Sequence, residues 1–381
     1  MRRMIFADNA ATTKLDEDAF IAMKPYLLNE YGNASQPYTF GRNAKLAIDE
    51  ARKTIASCIG ANENTIFFTS CGTESDNWVI KKFASNDSKR LIITSCIEHH
   101  AILNACKALS DRTKIVYLPV NRFGEVSVDS LDVILEKELS IDDYNGNILV
   151  SIMTANNEIG TIQPIKELAK TAHGYGAFFH TDAVQAVGHI HIDVRDMDVD
   201  FLSASAHKFN GPKGVGFLYI KEGLSLNPLI DGGSQEKGIR AGTENVASIV
   251  GMSVALKNNL DHLEENMTHV LRLEEQMMNQ LCESGLKFIR NGSKNHIPGN
   301  ISLSFKGADG EKLLHRLDLR GICVSTGSAC DSKNTQLSHV ISAIEVADIF
   351  SKGTIRITLG KNNTSEDVDA IVSELVSILN K

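Results

Sequence analysis

The chain has 381 residues, and its 39 Lys and Arg against 47 Asp and Glu give a formal charge of −8 at pH 7. Apolar residues make up 43% and charged residues 23%, the balance of a soluble globular protein long enough for two domains around a large core. The acidic excess argues against nucleic acid or an anionic membrane as the main partner, and no apolar run is long enough to span a bilayer.

Met1 to Phe6 is basic but lacks the apolar stretch of a signal peptide. The seven cysteines (Cys58, Cys71, Cys96, Cys106, Cys282, Cys323 and Cys330) are odd in number, irregular in spacing and free of any C-x-x-C pair. That pattern predicts neither a disulfide framework nor a metal site, and places the chain in a reducing, cytoplasmic compartment. Most of these thiols are expected to act as small buried hydrophobes.

Taken in chain order, Leu46, Ala47, Ala51, Ile55 and Ile59 recur at helical spacing, and Gly60 stops the run. Short apolar runs follow at Ile66–Phe68, Leu91–Ile93, Ile115–Tyr117, Ile148–Val150, Phe178–Phe179, Phe201–Leu202 and Val215–Leu218, separated by helix-length segments. Runs that are short and not strictly alternating suit a mostly parallel sheet covered by helices on both faces, an α/β architecture. Residues 244–285 read as long helix. Gly299–Phe305 and Thr354–Leu359 then read as strands, and Val368, Ile371, Val372, Leu375 and Leu379 form one helical face capped at Thr364. The predicted division is a large domain over 12–255 and a smaller α+β domain over 256–381 together with the N-terminal segment 1–11.

Several segments carry chemistry. Thr65 to Asn77 reads as strand, turn and helix start, where Gly72 lets a phosphate approach free amides and Thr73 adds a hydroxyl; an ordinary capped helix is the alternative. Thr94 to His100 ends a strand on two histidines, and His99 can stack on a planar cofactor and move protons. In Asn156-Asn157-Glu158-Ile159-Gly160, the Asn156 amide can hold a ring hydroxyl or a substrate carboxylate. Asp182, just past the 178–179 run, can pair with a protonated pyridine nitrogen, and Gln185 with a ring oxygen; helix capping by Asp182 competes, and His180 reads as structural. In Ser203 to Gly214, Lys208 can form a Schiff base with an aldehyde cofactor while Ser205 and His207 hold its phosphate; a surface lysine in a turn is the bland reading. Ser325 to Ser332 is small and polar with a thiol, Cys330, placed as a candidate nucleophile. Arg356, mid-strand, fits a bidentate carboxylate ligand or a structural ion pair.

These motifs together resemble the pyridoxal 5'-phosphate (PLP)-dependent cysteine desulfurases, in the class V aminotransferase group of fold type I. The resemblance rests on Ser-x-His-Lys (Ser205 to Lys208) with Gly-Pro-Lys-Gly, Thr-Glu-Ser-Asp-Asn, Asn-Asn-Glu-Ile-Gly and Thr-Gly-Ser-Ala-Cys, and runs from Ala7 to Arg356. It implies that Lys208 carries the cofactor, that His99 stacks on the ring, and that Asp182 and Gln185 meet its nitrogen and oxygen. It implies further that Gly72, Thr73, Ser205 and His207 hold the phosphate, with Thr243 reaching that of a neighbouring subunit in a homodimer. Asn156 and Arg356 then bind the L-cysteine carboxylate. Lys208 moves the Cα proton and Cys330 takes the sulfur as a persulfide, for handover to an iron–sulfur scaffold or a thiolation protein, with L-alanine released. Selenocysteine lyase, another class V PLP enzyme and a non-catalytic PLP-binding scaffold are the competing readings. Two departures stand out: Ala34 to Tyr38 replaces the family's Pro-Ser-Ser-containing segment, and Cys71 stands where glycine is usual.

Overall fold

The computed structural model describes residues 4–83, 89–111, 113–144, 146–327 and 337–380. All seven predicted apolar runs become strands of one sheet, in the spatial order 66–69, 216–220, 201–205, 178–182, 148–151, 91–95, 114–118. The last five run parallel, and strand 216–220 is antiparallel to both neighbours. Both faces are covered. One packs on Ile48, Ile55, Leu168, Phe209 and Met252; the other packs on Trp78, Val79, Ile102 and Cys106. Burial on both faces explains why these strands read as continuous apolar runs rather than alternating ones.

A second, antiparallel sheet orders strands 354–358, 300–305 and 288–291. Its own core joins Leu273, Leu303, Phe305, Ile357 and Leu375, and Ile5 and Ala7 from the start of the chain pack into it. Helix Ser365–Leu379 begins with a capping box in which Thr364 and Asp367 satisfy each other's backbone amides.

Two expectations differ. Leu46 is exposed, because helix Thr39–Cys58 turns Ala44, Ile48, Ala51 and Ile55 inward, a stripe offset from the predicted one. Of the six described cysteines only Cys106 is fully buried; Cys282 is exposed on the outer face of helix Leu263–Glu283, and the rest are half-buried. Cys330 lies outside the described residues. Among the described residues, no helix is long and apolar enough to cross a membrane.

Candidate active site

The carboxyl ends of the parallel strands open into a cavity of about 450 Å³, where α/β sheets usually bind ligands. The strands ending at 95, 151, 182 and 205 each deliver part of its wall. Strand 178–182 ends on Asp182. Strand 201–205 ends on Ser205, and a 3-10 turn, Ala206–Lys208, then carries His207 and Lys208 inward. After strand 91–95, a short turn leads to His99, the N-cap of helix His100–Lys107. Helix Gly72–Lys82 points its N-terminus at the cavity with Gly72 and Thr73 in its first turn. Gly72 is required there by space: a Cβ would lie 2.5 Å from Val184 Cγ2.

The N-terminal segment forms the opposite wall. Lys208 Nζ donates to the carbonyls of Ala10 (2.6 Å) and Ala11 (2.9 Å), Gln185 Nε2 donates to Ala10 O at 3.0 Å, and His207 Nδ1 lies 3.1 Å from Thr12 Oγ1. These contacts lay Lys208, Gln185 and His207 against one strip of backbone, which the residue patterns did not predict.

His99 Nδ1 accepts from the Ala101 amide at 3.1 Å, so the neutral ring carries its proton on Nε2. Burial, then the Lys208 charge, pushes its pKa down to about 4. His207 is likewise pushed down to about 4 by burial and the Lys208 and Lys213 charges. Burial holds the Asp182 carboxyl above its ordinary range, partly offset by the Val184 amide, which donates to Oδ1 at 2.9 Å, and by Lys208. His180 is structural, as expected: it is fully buried, with Ser151 Oγ 2.8 Å from Nδ1 and Ser203 Oγ 3.0 Å from Nε2.

Arg356 faces the cavity from the second sheet. It donates to Asp8 Oδ1 (2.8 Å) and Asn157 O (2.9 Å), so the ion pair considered from sequence exists, while the buried Nε has no hydrogen-bond partner. Asn156 sits behind the wall. It is fully buried, its amide donates to Ile97 O at 2.9 Å, and its oxygen accepts from the Glu158 and Ile159 amides; Asn157 lines the cavity instead. Thr243 is exposed and away from this chain's cavity. Cys71 lines the cavity beside Ser70.

Asp8, Asp76, Asn157 and Ser325 are cavity residues that sequence reasoning did not single out. Asp8 stands just inside the start of the resemblance at Ala7 and Asp76 in Thr-Glu-Ser-Asp-Asn, yet nothing in their spacing distinguishes a cavity carboxylate from a helix-capping one.

The donor set fits a planar cofactor with an anionic tail. The Ser205 hydroxyl is buried in the cavity without a hydrogen-bond partner, beside a helix N-terminus that favours phosphate; an amine, a buried carboxylate and a neutral imidazole surround the remaining space.

The family model described as aminotransferase class V matches residues 5–371. The chain is 46% identical to a protein named cysteine desulfurase IscS from Dictyoglomus turgidum, over all of this chain and 96% of that one. It is 44% identical to a cysteine desulfurase IscS from Methanosarcina thermophila, over all of this chain and 93% of that one. A solved structure titled NifS-like protein superposes with a TM-score of 0.91 at 37% identity, covering 99% of this chain and all of that one.

Proposed function

The chain belongs to the aminotransferase class V family, and we infer that it is a PLP-dependent cysteine desulfurase, which converts L-cysteine to L-alanine and passes the sulfur to an acceptor. The observation that carries this reading is the meeting of Lys208, Asp182, His99, the unpartnered Ser205 hydroxyl and Arg356 in one cavity. When bound, the cofactor supplies an aldehyde for amines and a sink for the electron pair left as the Cα–H bond breaks.

The chain's own groups divide the work as follows. The Lys208 amine would hold the cofactor and, when free, would take the Cα proton and return one for alanine. The Asp182 carboxylate would pair with the pyridine nitrogen, and Gln185 would reach the ring oxygen. Gly72, Thr73, Ser205 and His207 hold the phosphate at the helix N-terminus. His99, neutral at physiological pH with a proton on Nε2, would face the ring and exchange a proton with the substrate sulfur. Arg356 binds the substrate carboxylate. The Asn156 oxygen fixes the turn after strand 148–151, so this residue supports the wall on which Asn157 stands. The Cys330 thiolate would attack the substrate sulfur, the Cβ–S bond breaking with its electron pair left on carbon for protonation to alanine, so that the sulfur stays on Cys330 as a persulfide. Thr243, exposed on its own chain, reaches the phosphate of a second copy in a homodimer. The acceptor is an iron–sulfur scaffold or a thiolation protein.

Incubation of purified protein with L-cysteine and no acceptor tests the reading. The expected result is a mass gain of one sulfur on Cys330 with alanine formed; absence of both removes desulfuration. Lys208→Ala is expected to abolish the yellow cofactor absorbance, and Cys330→Ala to keep the colour and lose sulfur transfer.

A further inference from the structure

Two buried carboxylates share the cavity floor. Asp76, on helix Gly72–Lys82, is 1% exposed, and Asp182 is 6% exposed. Their surroundings differ. Asp182 has a backbone amide donor, from Val184 at 2.9 Å, and the Lys208 charge to favour its ionised form. Asp76 has one weak donor, the Ser203 hydroxyl, while its Oδ1 is buried without a hydrogen bond.

The residue behind Asp76 supplies no cation. His180 Nε2 lies 3.7 Å from Asp76 Oδ1, too far for a hydrogen bond. Its two nitrogens are already paired with the hydroxyls of Ser151 and Ser203. These contacts link Ser151, His180 and Ser203 to Asp76, and a neutral imidazole satisfies them with one ring nitrogen donating and the other accepting. The ionisable groups that weigh most on Asp76 are Asp182, Glu98 and Cys71, none of them cationic, and the cation of the cavity, Lys208, is turned to the Ala10 and Ala11 carbonyls. A fully buried carboxylate with one hydroxyl donor and acidic neighbours is too costly to keep charged.

We propose that Asp76 and Asp182 carry a single negative charge between them, the proton staying on Asp76, so that Asp182 alone meets a cationic pyridine nitrogen. Asp76 is thus a positioning residue acting through Asp182, and the inference rests on the reading of Asp182 as that nitrogen's partner. The environments of the pair separate their roles, as in other sites built on two carboxylates. Burial and the Asp182 charge hold the Asp76 carboxyl well above the usual range, and burial pushes His180 down to about 3, in accord with this assignment.

Infrared difference spectroscopy of the holoenzyme at neutral pH tests it. The expected result is a protonated-carboxyl C=O band, moved by ¹³C-aspartate labelling and so distinct from that of protonated Glu98, that is lost in Asp76→Asn and retained in Asp182→Asn. An aspartate band absent from the wild type, retained in Asp76→Asn, or lost only in Asp182→Asn overturns the proposal. If Asp76→Asn does not fold, carboxyl NMR of wild-type protein labelled with ¹³C-aspartate decides: one buried resonance is expected to stay at the protonated shift through neutral pH, and its absence overturns the proposal. Borohydride reduction followed by peptide mass analysis tests the underlying reading separately. Cofactor fixed on Lys208 without a carboxyl band sinks the inference alone; no fixed cofactor sinks the reading beneath it.

Discussion

Arg356 Nη2 donates to Asp8 Oδ1 at 2.8 Å, and Asp8 Oδ2 accepts from Ser325 Oγ at 2.8 Å, so one carboxylate ties the cavity arginine to the segment bridged to it at Ser325. Both side chains are largely buried, at 6% and 15% exposed. Removing one partner of such a pair leaves an uncompensated charge. Asp8→Ala is therefore expected to lower stability by about 3 kcal/mol, read as a denaturant midpoint shift at unchanged slope. Arg356→Lys keeps the charge but loses the planar fork, and is expected to raise KM for L-cysteine about tenfold with a smaller change in kcat.

Gly72 and Val184 compete for one volume. Gly72→Ala places a methyl 2.5 Å from Val184 Cγ2, inside contact distance, and is expected to cost about 1–3 kcal/mol and weaken cofactor retention. Val184→Ala in the same chain makes room. The double variant is expected to recover cofactor retention measured by absorbance after dialysis; failure to recover any would mean that steric conflict is not the cause.

Glu74 joins the phosphate-binding helix to the segment carrying Thr243. Arg240 donates to it through Nε at 2.8 Å and Nη2 at 3.1 Å, and the Ser70 amide donates at 2.7 Å. Burial opposes ionisation of Glu74, but these donors win and hold its pKa below the ordinary value. Arg240→Gln leaves the carboxylate half-satisfied. The expected cost is about 1–2 kcal/mol in stability, discounted for the partial exposure of the pair, together with faster cofactor loss on dilution.

His99 links stability to pH with a definite sign. Its pKa falls from 6.5 to about 4 on folding, because burial and Lys208 disfavour the charged ring. Between those values the unfolded chain holds more protons than the native one, so this histidine's contribution is present above pH 6.5 and lost as pH falls towards 4. His99→Gln is expected to flatten the stability profile of the cofactor-free protein in that window by about 1.4 kcal/mol per pH unit. Glu98 works oppositely: burial raises it to about 8, so the native state keeps its proton. Comparing variant with wild type cancels that contribution, and identical slopes would refute the assignment.

Much of the fold was legible because parallel strands buried on both faces must be apolar throughout, and the sheet joins all seven such runs. Leu46 misled because a helix in which small alanines face the core lets an exposed leucine look like part of the stripe. Lys208, His99, Asp182, Ser205 and His207 were readable because each follows a strand end, where the sheet's geometry sends side chains into one cleft.

Local pattern thus determined which residues end the strands, and hence the class of fold and the groups available for chemistry. The tertiary structure decided which of those groups meet. It set Asn157 rather than Asn156 on the wall, paired Arg356 with Asp8 from 348 positions away, and buried Asp76 beside His180. The physical reason is that hydrophobic periodicity is local, whereas the cost of burying a charge depends on neighbours that only the folded chain brings together.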